Sequence, residues 1–188
     1  MRADALNVGG EPVVTKLAMK MEDSLQAFAV RAACFIGELD VPFSEEFDGH
    51  DFGATHIIAY VGDEPVGTVR LRWFQSFAMP ERLAVIQRFR GHNIGSVLLE
   101  RCRAQAEARG CNMLYAQALP RDVGYWEKQG WRRLVAEDPD AGEKRIVAMV
   151  KAVDPSKPLP EIEAPEALVL RRDGRLDSTG MPPGTVSN

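Results

Sequence analysis

The stretch Arg88-Phe89-Arg90-Gly91-His92-Asn93-Ile94-Gly95-Ser96 joins a short apolar run, Leu83-Ala84-Val85-Ile86, to an amphipathic segment that continues to about Arg109. The order is strand, tight basic turn, helix. Such a turn gathers main-chain N–H groups and the positive end of a helix dipole at one point. Arg88 and Arg90 add side chains suited to charge-assisted bonds with phosphate. Gly91 and Gly95 let a bulky anion approach the backbone with no Cβ in the way. The turn therefore reads as a cradle for a diphosphate.

Working outward, residues 12–19 read as a strand carrying Val13, Val14 and Leu17. Glu22-Asp23-Ser24 opens a helix, since acidic and capping residues suit a first turn. Leu25, Phe28, Ala29, Ala32, Phe35 and Ile36 recur at helical spacing, and Gly37 weakens the end. Residues 40–53, rich in Pro, Gly and acidic side chains, read as a loop. Residues 55–61 and 66–73 form a hairpin around Gly62-Asp63-Glu64, and residues 79–86 form the next strand. Ile94, Val97, Leu98, Cys102 and Ala106 make the apolar stripe of the central helix, which Gly110 ends. A strand over residues 111–118 then requires a parallel crossover. A short helix over residues 122–129 closes at Gly130. Two last strands, residues 131–136 and 144–150, pair across residues 138–142. The fold class is α/β (α+β): a mixed, mostly antiparallel sheet of six to seven strands with one parallel pair and flanking helices.

A chain of 188 residues suits one domain with an appendage and needs no staples to bury a core. The net charge of −4 argues against nonspecific nucleic-acid binding, although a local basic turn still binds a polyanion across a Debye length of about 8 Å. Cys34, Cys102 and Cys111 lack metal-ligand spacing and read as reduced thiols. No basic-then-apolar leader opens the chain, and no apolar run approaches membrane-spanning length. The expectation is a cytoplasmic protein with no metal, no membrane partner and no nucleic-acid partner. Residues 153–188 change character and hold half of the prolines. They read as an extended tail, or as an arm docked through Leu168 and Leu170 on the domain or on the second subunit of a homodimer.

Two blocks in this order resemble the GNAT acyltransferase superfamily, in a small bacterial subgroup. One is Glu81-Arg82-Leu83-Ala84-Val85 followed by Arg90-Gly91-His92-Asn93-Ile94-Gly95-Ser96-Val97-Leu98-Leu99. The other is Tyr125-Trp126-Glu127-Lys128-Gln129-Gly130-Trp131. The resemblance spans about residues 11–151, and residues 1–152 are taken as the acyltransferase domain. Three departures stand out. Asn93 replaces the last small residue of the family's phosphate signature, although Asn tolerates the left-handed conformation better than most residues. Trp126 aligns with the family tyrosine that protonates the leaving thiolate, and indole cannot supply that proton. The segment before Tyr125 is about two residues longer than usual.

The resemblance implies acetyl-CoA as cosubstrate and a primary amine, small molecule or lysine side chain, as acceptor, acylated by direct attack. It implies that the strands over residues 79–86 and 111–118 splay to admit pantetheine. Contacts would come from Leu83, Ala84 and Val85, with the diphosphate on Arg88, Arg90, Gly91, His92, Asn93, Ile94, Gly95 and Ser96, and Trp126 alongside. A main-chain N–H near Val85 would polarise the thioester carbonyl. Catalytic candidates are Glu81 as base, His56 as its alternative, and Tyr125 as acid. Glu46, Asp48 and Asp51, with Glu45, form an acidic loop expected to draw a cationic acceptor, unless Arg70 and Arg72 neutralise it. Two other readings remain open. One is a non-catalytic acyl-CoA-binding regulatory module, favoured by Trp126. The other rests on Arg31, Phe35, Glu46, Asp48, Asp51 and the Arg72 region, which resemble acyl-homoserine-lactone synthases that use S-adenosylmethionine.

Overall fold

In a computed structural model, which describes residues 6–134 and 146–160, the described strands form one eight-stranded sheet. Its strands are β1 (Asn7–Val8), β2 (Glu11–Leu17), β3 (Thr55–Val61), β4 (Glu64–Trp73), β5 (Ala78–Val85), β6 (Met113–Ala118), β7 (Arg132–Arg133) and β8 (Val147–Ala152). The spatial order is β1-β2-β3-β4-β5-β6-β8-β7. The helices are α1 (Met21–Arg31), α2 (Phe43–Glu46), α3 (Ile94–Ala108) and α4 (Val123–Lys128). The α/β class is as the sequence implies, with every described strand pair antiparallel except β5 with β6. The sheet has eight strands rather than six to seven because β1 was not foreseen. It is two residues long, folded back on β2 through Gly9 and Gly10, both at positive φ, and a pair of residues carries no readable alternation.

Three helical details differ from the sequence reading. Residues 40–53 contain α2, a single turn too short to show a period. The helix expected to end near Gly37 passes at Ala32 into a π-helical turn, Ala32–Glu38. Its buried face is also rotated. Ala27, Val30, Arg31 and Cys34 are buried while Leu25 is exposed. The cause is Arg31, whose guanidinium belongs to the inward face, so an apolar count alone misphases the helix. Elsewhere the apolar patterns hold. Ile94, Leu98, Cys102 and Ala106 pack α3 onto Ile57, Val66, Val69 and Leu71. Gly67 permits the approach, since a Cβ there would lie 3.1 Å from Ile94 Cγ2 and 3.2 Å from Leu98 Cδ1. Cys34 and Cys102 are buried free thiols, and Cys111 is half-buried.

Two irregularities in the middle of the sheet position the site. Strands β5 and β6 pair at a single point, Ala78 with Leu114, and part beyond it. Across the other edge of β5, the register with β4 slips between Thr68–Ala84 and Arg70–Glu81. Three β5 steps there oppose two β4 steps, a bulge. Arg82 absorbs it in the left-handed region at φ 53. After β8 the chain stays on the domain: Asn112 bonds Val153, Asp154 and Pro158 through its main chain and amide, and Leu159 packs on the group of Phe77, Met113 and Tyr115. The expected joint across residues 138–142 and the docking residues Leu168 and Leu170 lie outside the described residues. No helix among the described residues is long and apolar enough to cross a membrane.

Candidate active site

Where β5 leaves β6, a cleft of about 680 Å³ opens. Arg90, Tyr125 and Trp126 stand at one end, Glu81, Arg82 and Leu83 along the middle, and His50, Arg72 and Met79 at the other. The β5 backbone faces this gap. Ile86 N–H donates across β4 to Val66 O at 2.9 Å. Because successive peptide groups of a strand point opposite ways, the Val85 N–H and C=O turn toward the cleft. Ala84 faces inward and is buried with Val30 and Cys34, while Leu83 and Val85 are half-buried.

The basic turn lies next along the chain. Gln87–Phe89 forms a 3-10 turn, Gly91 sits at φ 84, and Asn93 caps α3 in the left-handed conformation at φ 56. Asn93 thus adopts the left-handed conformation that its side chain tolerates. Asn93 O accepts the first α3 hydrogen bond, from Val97 N. The N–H groups of Ile94, Gly95 and Ser96 therefore have no intrahelical acceptor. Ile94 anchors the turn, with its side chain in the core. His92 is exposed, its Nδ1 3.1 Å from Arg90 O. Both arginines have partners: Arg88 pairs with Glu64 and lies on the Phe89 ring. Arg90 donates to Val85 O at 2.9 Å and to Glu38 at 2.5 Å. These contacts are exposed, and exposed pairs hold only about 0–1 kcal/mol.

The aromatic pair of α4 divides its work. Trp126 is buried and meets Trp131 edge-to-face at 4.8 Å. Tyr125 is more exposed and carries its hydroxyl to the start of α3, bonded to Ser96; burial pushes its pKa up, against that hydrogen bond. A Cβ on Gly95 would lie 2.5 Å from this hydroxyl, so the glycine makes room for it.

The acidic loop does not stand open as a cation trap. Arg31, fully buried, donates to Glu46 Oε1 and Asp51 Oδ1 at 2.5 Å and to Glu46 O at 2.7 Å. Arg70, also fully buried, takes both Asp48 oxygens at 2.7 Å, Asp51 at 3.1 Å and Glu81 Oε1 at 2.8 Å. Arg82 reaches Glu46 at 3.1 Å and Asp48 at 3.3 Å. Burial would raise the Asp48 carboxyl, but Arg70 overrides it and holds it well below the ordinary range. Asp51 is also held low, by Arg31 and Arg70 against burial. Glu46 moves the other way, pushed up by burial against Arg31 and Arg82. Arg70 stays protonated, its carboxylates outweighing burial. The expected draw on a cationic acceptor is therefore corrected: the carboxylates are matched inside the protein, and of Glu46, Asp48 and Asp51 only Asp48 borders the cleft.

Glu81 does border the cleft, although Arg70 holds its Oε1. His56 does not. It lies beneath the network, Nε2 3.1 Å from Asp51 O and ring edge-on to Phe28 at 5.2 Å. Burial lowers its pKa. Strand register explains the position: His56 pairs with Arg70 and shares its buried face. Residues not singled out for the site include His50, Met79 and Arg82. Strand alternation already put Arg72 on the Arg70 face. No local pattern announces the Arg82 bulge.

Comparisons with known proteins agree with this fold. Residues 24–131 match the model of the Acetyltransferase (GNAT) family. The uncharacterised N-acetyltransferase YjcF of Bacillus subtilis (strain 168) is 30% identical over 134 residues, 71% of this chain and 96% of that protein. An acyl-CoA N-acyltransferase structure from Pseudomonas aeruginosa superposes with a TM-score of 0.64 at 18% identity, over 74% of this chain and 99% of that one. A Bacillus subtilis acetyltransferase in complex with CoA gives 0.58 at 13% identity, over 74% and 98%.

Proposed function

Because the chain belongs to the GNAT acetyltransferase family, we propose that this N-acetyltransferase moves the acetyl group of acetyl-CoA to a primary amine by direct attack in the cytoplasm. The observation that carries the proposal is the parted β5–β6 pair opening beside a helix start with free N–H groups. The diphosphate sits on the N–H groups of residues 91–96, with Arg90 and Arg88 leaving their exposed carboxylates to meet it. The pantetheine arm lies in the gap as a short pseudo-strand against Leu83, Ala84 and Val85, beside Trp126. The acetyl group then lies along the middle of the cleft, between Val85 and Glu81.

In the chemical step, the neutral amine adds to the thioester carbonyl. The carbonyl oxygen takes negative charge and is met by the Val85 N–H, a donor whose loss costs ~10²–10³ in rate. The amine nitrogen gives up a proton, the C–S bond breaks, and the thiolate takes a proton to leave as CoA thiol. Glu81 receives the amine's proton, directly or through water. Its Oε2 accepts no hydrogen bond among the described residues. Tyr125 supplies the proton to sulfur. Trp126 is buried, and an indole has no acidic proton to give.

Calorimetric titration with acetyl-CoA, followed by free-thiol release across a panel of amines, tests the reading. Saturable binding and amine-dependent thiol release are expected. In the Tyr125→Phe variant kcat should fall by ~10²-fold or more, the usual contribution of a placed acid, with CoA affinity within a few-fold. Binding without release by any amine would overturn the transferase reading. Release with unchanged kcat in Tyr125→Phe would remove Tyr125 from the proton path.

A further inference from the structure

At the acceptor end of the cleft, four arginines and four carboxylates meet. Three of the arginines, Arg31, Arg70 and Arg82, are tied to Glu46, Asp48, Asp51 and Glu81 by the close contacts above. That leaves one negative charge over, and Arg72 balances it without joining the bonding. Its Nε is 3.7 Å from Glu81 Oε1, beyond hydrogen-bond range, and it donates no hydrogen bond among the described residues. Its guanidinium also lies 5.0 Å from the Phe74 ring, a contact that fixes the plane but takes no N–H. The side chain is only 13% exposed, and the exposed part borders the cleft. A guanidinium carries five N–H donors. None of the Arg72 nitrogens is among the buried unpaired atoms, so they open on the cleft, where a ligand can meet them.

Beside it, Glu81 has the opposite vacancy. Arg70 and Arg72 both approach Oε1, while Oε2 is unclaimed among the described residues. The cleft thus shows one unmet cation and one unmet carboxylate oxygen on neighbouring strands. A dianion such as a phosphate monoester fits poorly, because Asp48 and Glu81 border the same space. A lone cation is met by Glu81 but leaves Arg72 as it was. A zwitterion satisfies both. The planar fork of Arg72 matches a carboxylate, and Glu81 accepts from the ammonium that becomes the nucleophile. Met79 and Pro80, next to Glu81 on β5, border the same space and suit an apolar substituent.

We infer that the acceptor is an amino acid with a free carboxylate, its carboxylate held by Arg72 and its amine by Glu81. The inference rests on the acetyl-transfer reading and names the acceptor class of that site.

The test compares leucine, methionine and phenylalanine with their carboxamides and with the corresponding decarboxylated amines, by thiol release from acetyl-CoA. The free acids should be preferred in kcat/KM by about 10–100-fold, the value of a charge-assisted hydrogen bond of ~1.5–3 kcal/mol. This holds even though a carboxamide's neighbouring amine deprotonates more readily. In Arg72→Gln the acid-to-amide ratio should collapse toward 1, chiefly through KM, and Arg72→Lys should restore part of it. Because a ratio is read, a general loss of folded enzyme does not imitate the result. Amides or decarboxylated amines acetylated as well as the acids overturn the inference while leaving the transferase reading intact. So does an Arg72→Gln variant that loses acid and amide in equal proportion. If no amine of any class releases thiol although acetyl-CoA binds, the transferase reading fails and this one falls with it.

Discussion

The two ends of the cleft hold charge in opposite ways. At the turn end, Arg88 and Arg90 are exposed and loosely paired, and the groups that matter are main-chain N–H groups fixed by a left-handed Asn93. At the acceptor end the charges are side chains, buried and bound to one another across α1, the α2 loop, β4 and β5. The first arrangement is local and leaves its donors available to a ligand. The second is built from residues as far apart in sequence as Arg31 and Glu81, and most of its capacity is used within the protein. One end thus offers main-chain donors beside arginines whose own ion pairs are exposed. The other is a structural element of which Asp48, Arg72, Glu81 and Arg82 border the cleft.

The largest expected effect breaks the buried side. Arg70→Met leaves Asp48, Asp51 and Glu81 without their shared partner. Removing one member of a buried ion network typically costs about 3–5 kcal/mol, a large share of the stability of a domain this size. Guanidinium denaturation should show that loss, whereas Arg88→Ala at the other end should stay within about 0.5 kcal/mol. A drop below about 1 kcal/mol in Arg70→Met would mean that the network does not hold the fold and that the contrast fails.

Acid separates the ends next. Asp48 and Asp51 are held below the ordinary carboxylate range in the folded chain. The unfolded chain therefore takes up protons first as pH falls. The stability these groups give is complete above about pH 5, since an unperturbed Asp titrates near 3.9. It is lost as the pH falls through their folded values. The lowered His56 acts in the same sense nearer pH 6.5, and the raised Glu46 opposes both. The melting temperature should fall steadily from pH 7 to pH 3. Asp48→Asn should melt lower at pH 7 but with a shallower acid limb, and Arg88→Ala should keep the wild-type slope. An Asp48→Asn protein with an unchanged acid limb would contradict the assignment of this linkage to Asp48.

The same contrast explains what could be read in the chain. Residues 83–96 show their strand, turn and helix start in consecutive residues, because the dihedral demands of Gly91 and Asn93 and the periodicity of Ile94 and Leu98 are local properties. The parallel crossover followed from element order. The parting of β5 from β6 came from resemblance, and the structure shows it in the single pairing of Ala78 with Leu114. The acceptor end was legible only as a list of charges. Which carboxylate meets which guanidinium depends on the β3–β4–β5 register and on a bulge at Arg82, a residue with no turn-forming chemistry. His56 misled for the same reason. Its proximity to the loop in sequence is real, but the strand face that it shares with Arg70 points it under the network. Arg31 misled in the other direction, as a charge that rotates the buried face of α1.

The smallest expected effect lies at the turn and sharpens the comparison most. Arg90 must leave Glu38 and the Val85 carbonyl before it can meet a diphosphate, so part of its bond to ligand is offset by bonds already present. The main-chain N–H groups of Ile94, Gly95 and Ser96 carry no such offset, because their direction is set by the helix. Arg90→Ala should therefore weaken acetyl-CoA binding by only about 10-fold, roughly 1.4 kcal/mol. Stability should change by no more than the ~0.5 kcal/mol of an exposed pair. Salt should narrow the difference between variant and wild type, since an exposed guanidinium is screened and a peptide dipole at contact distance is not. Titration calorimetry at low and at physiological ionic strength, beside a denaturation curve, reads all three. Unchanged affinity with a stability loss above 2 kcal/mol would reverse the comparison, making Arg90 part of the scaffold and leaving the backbone alone to hold the cofactor.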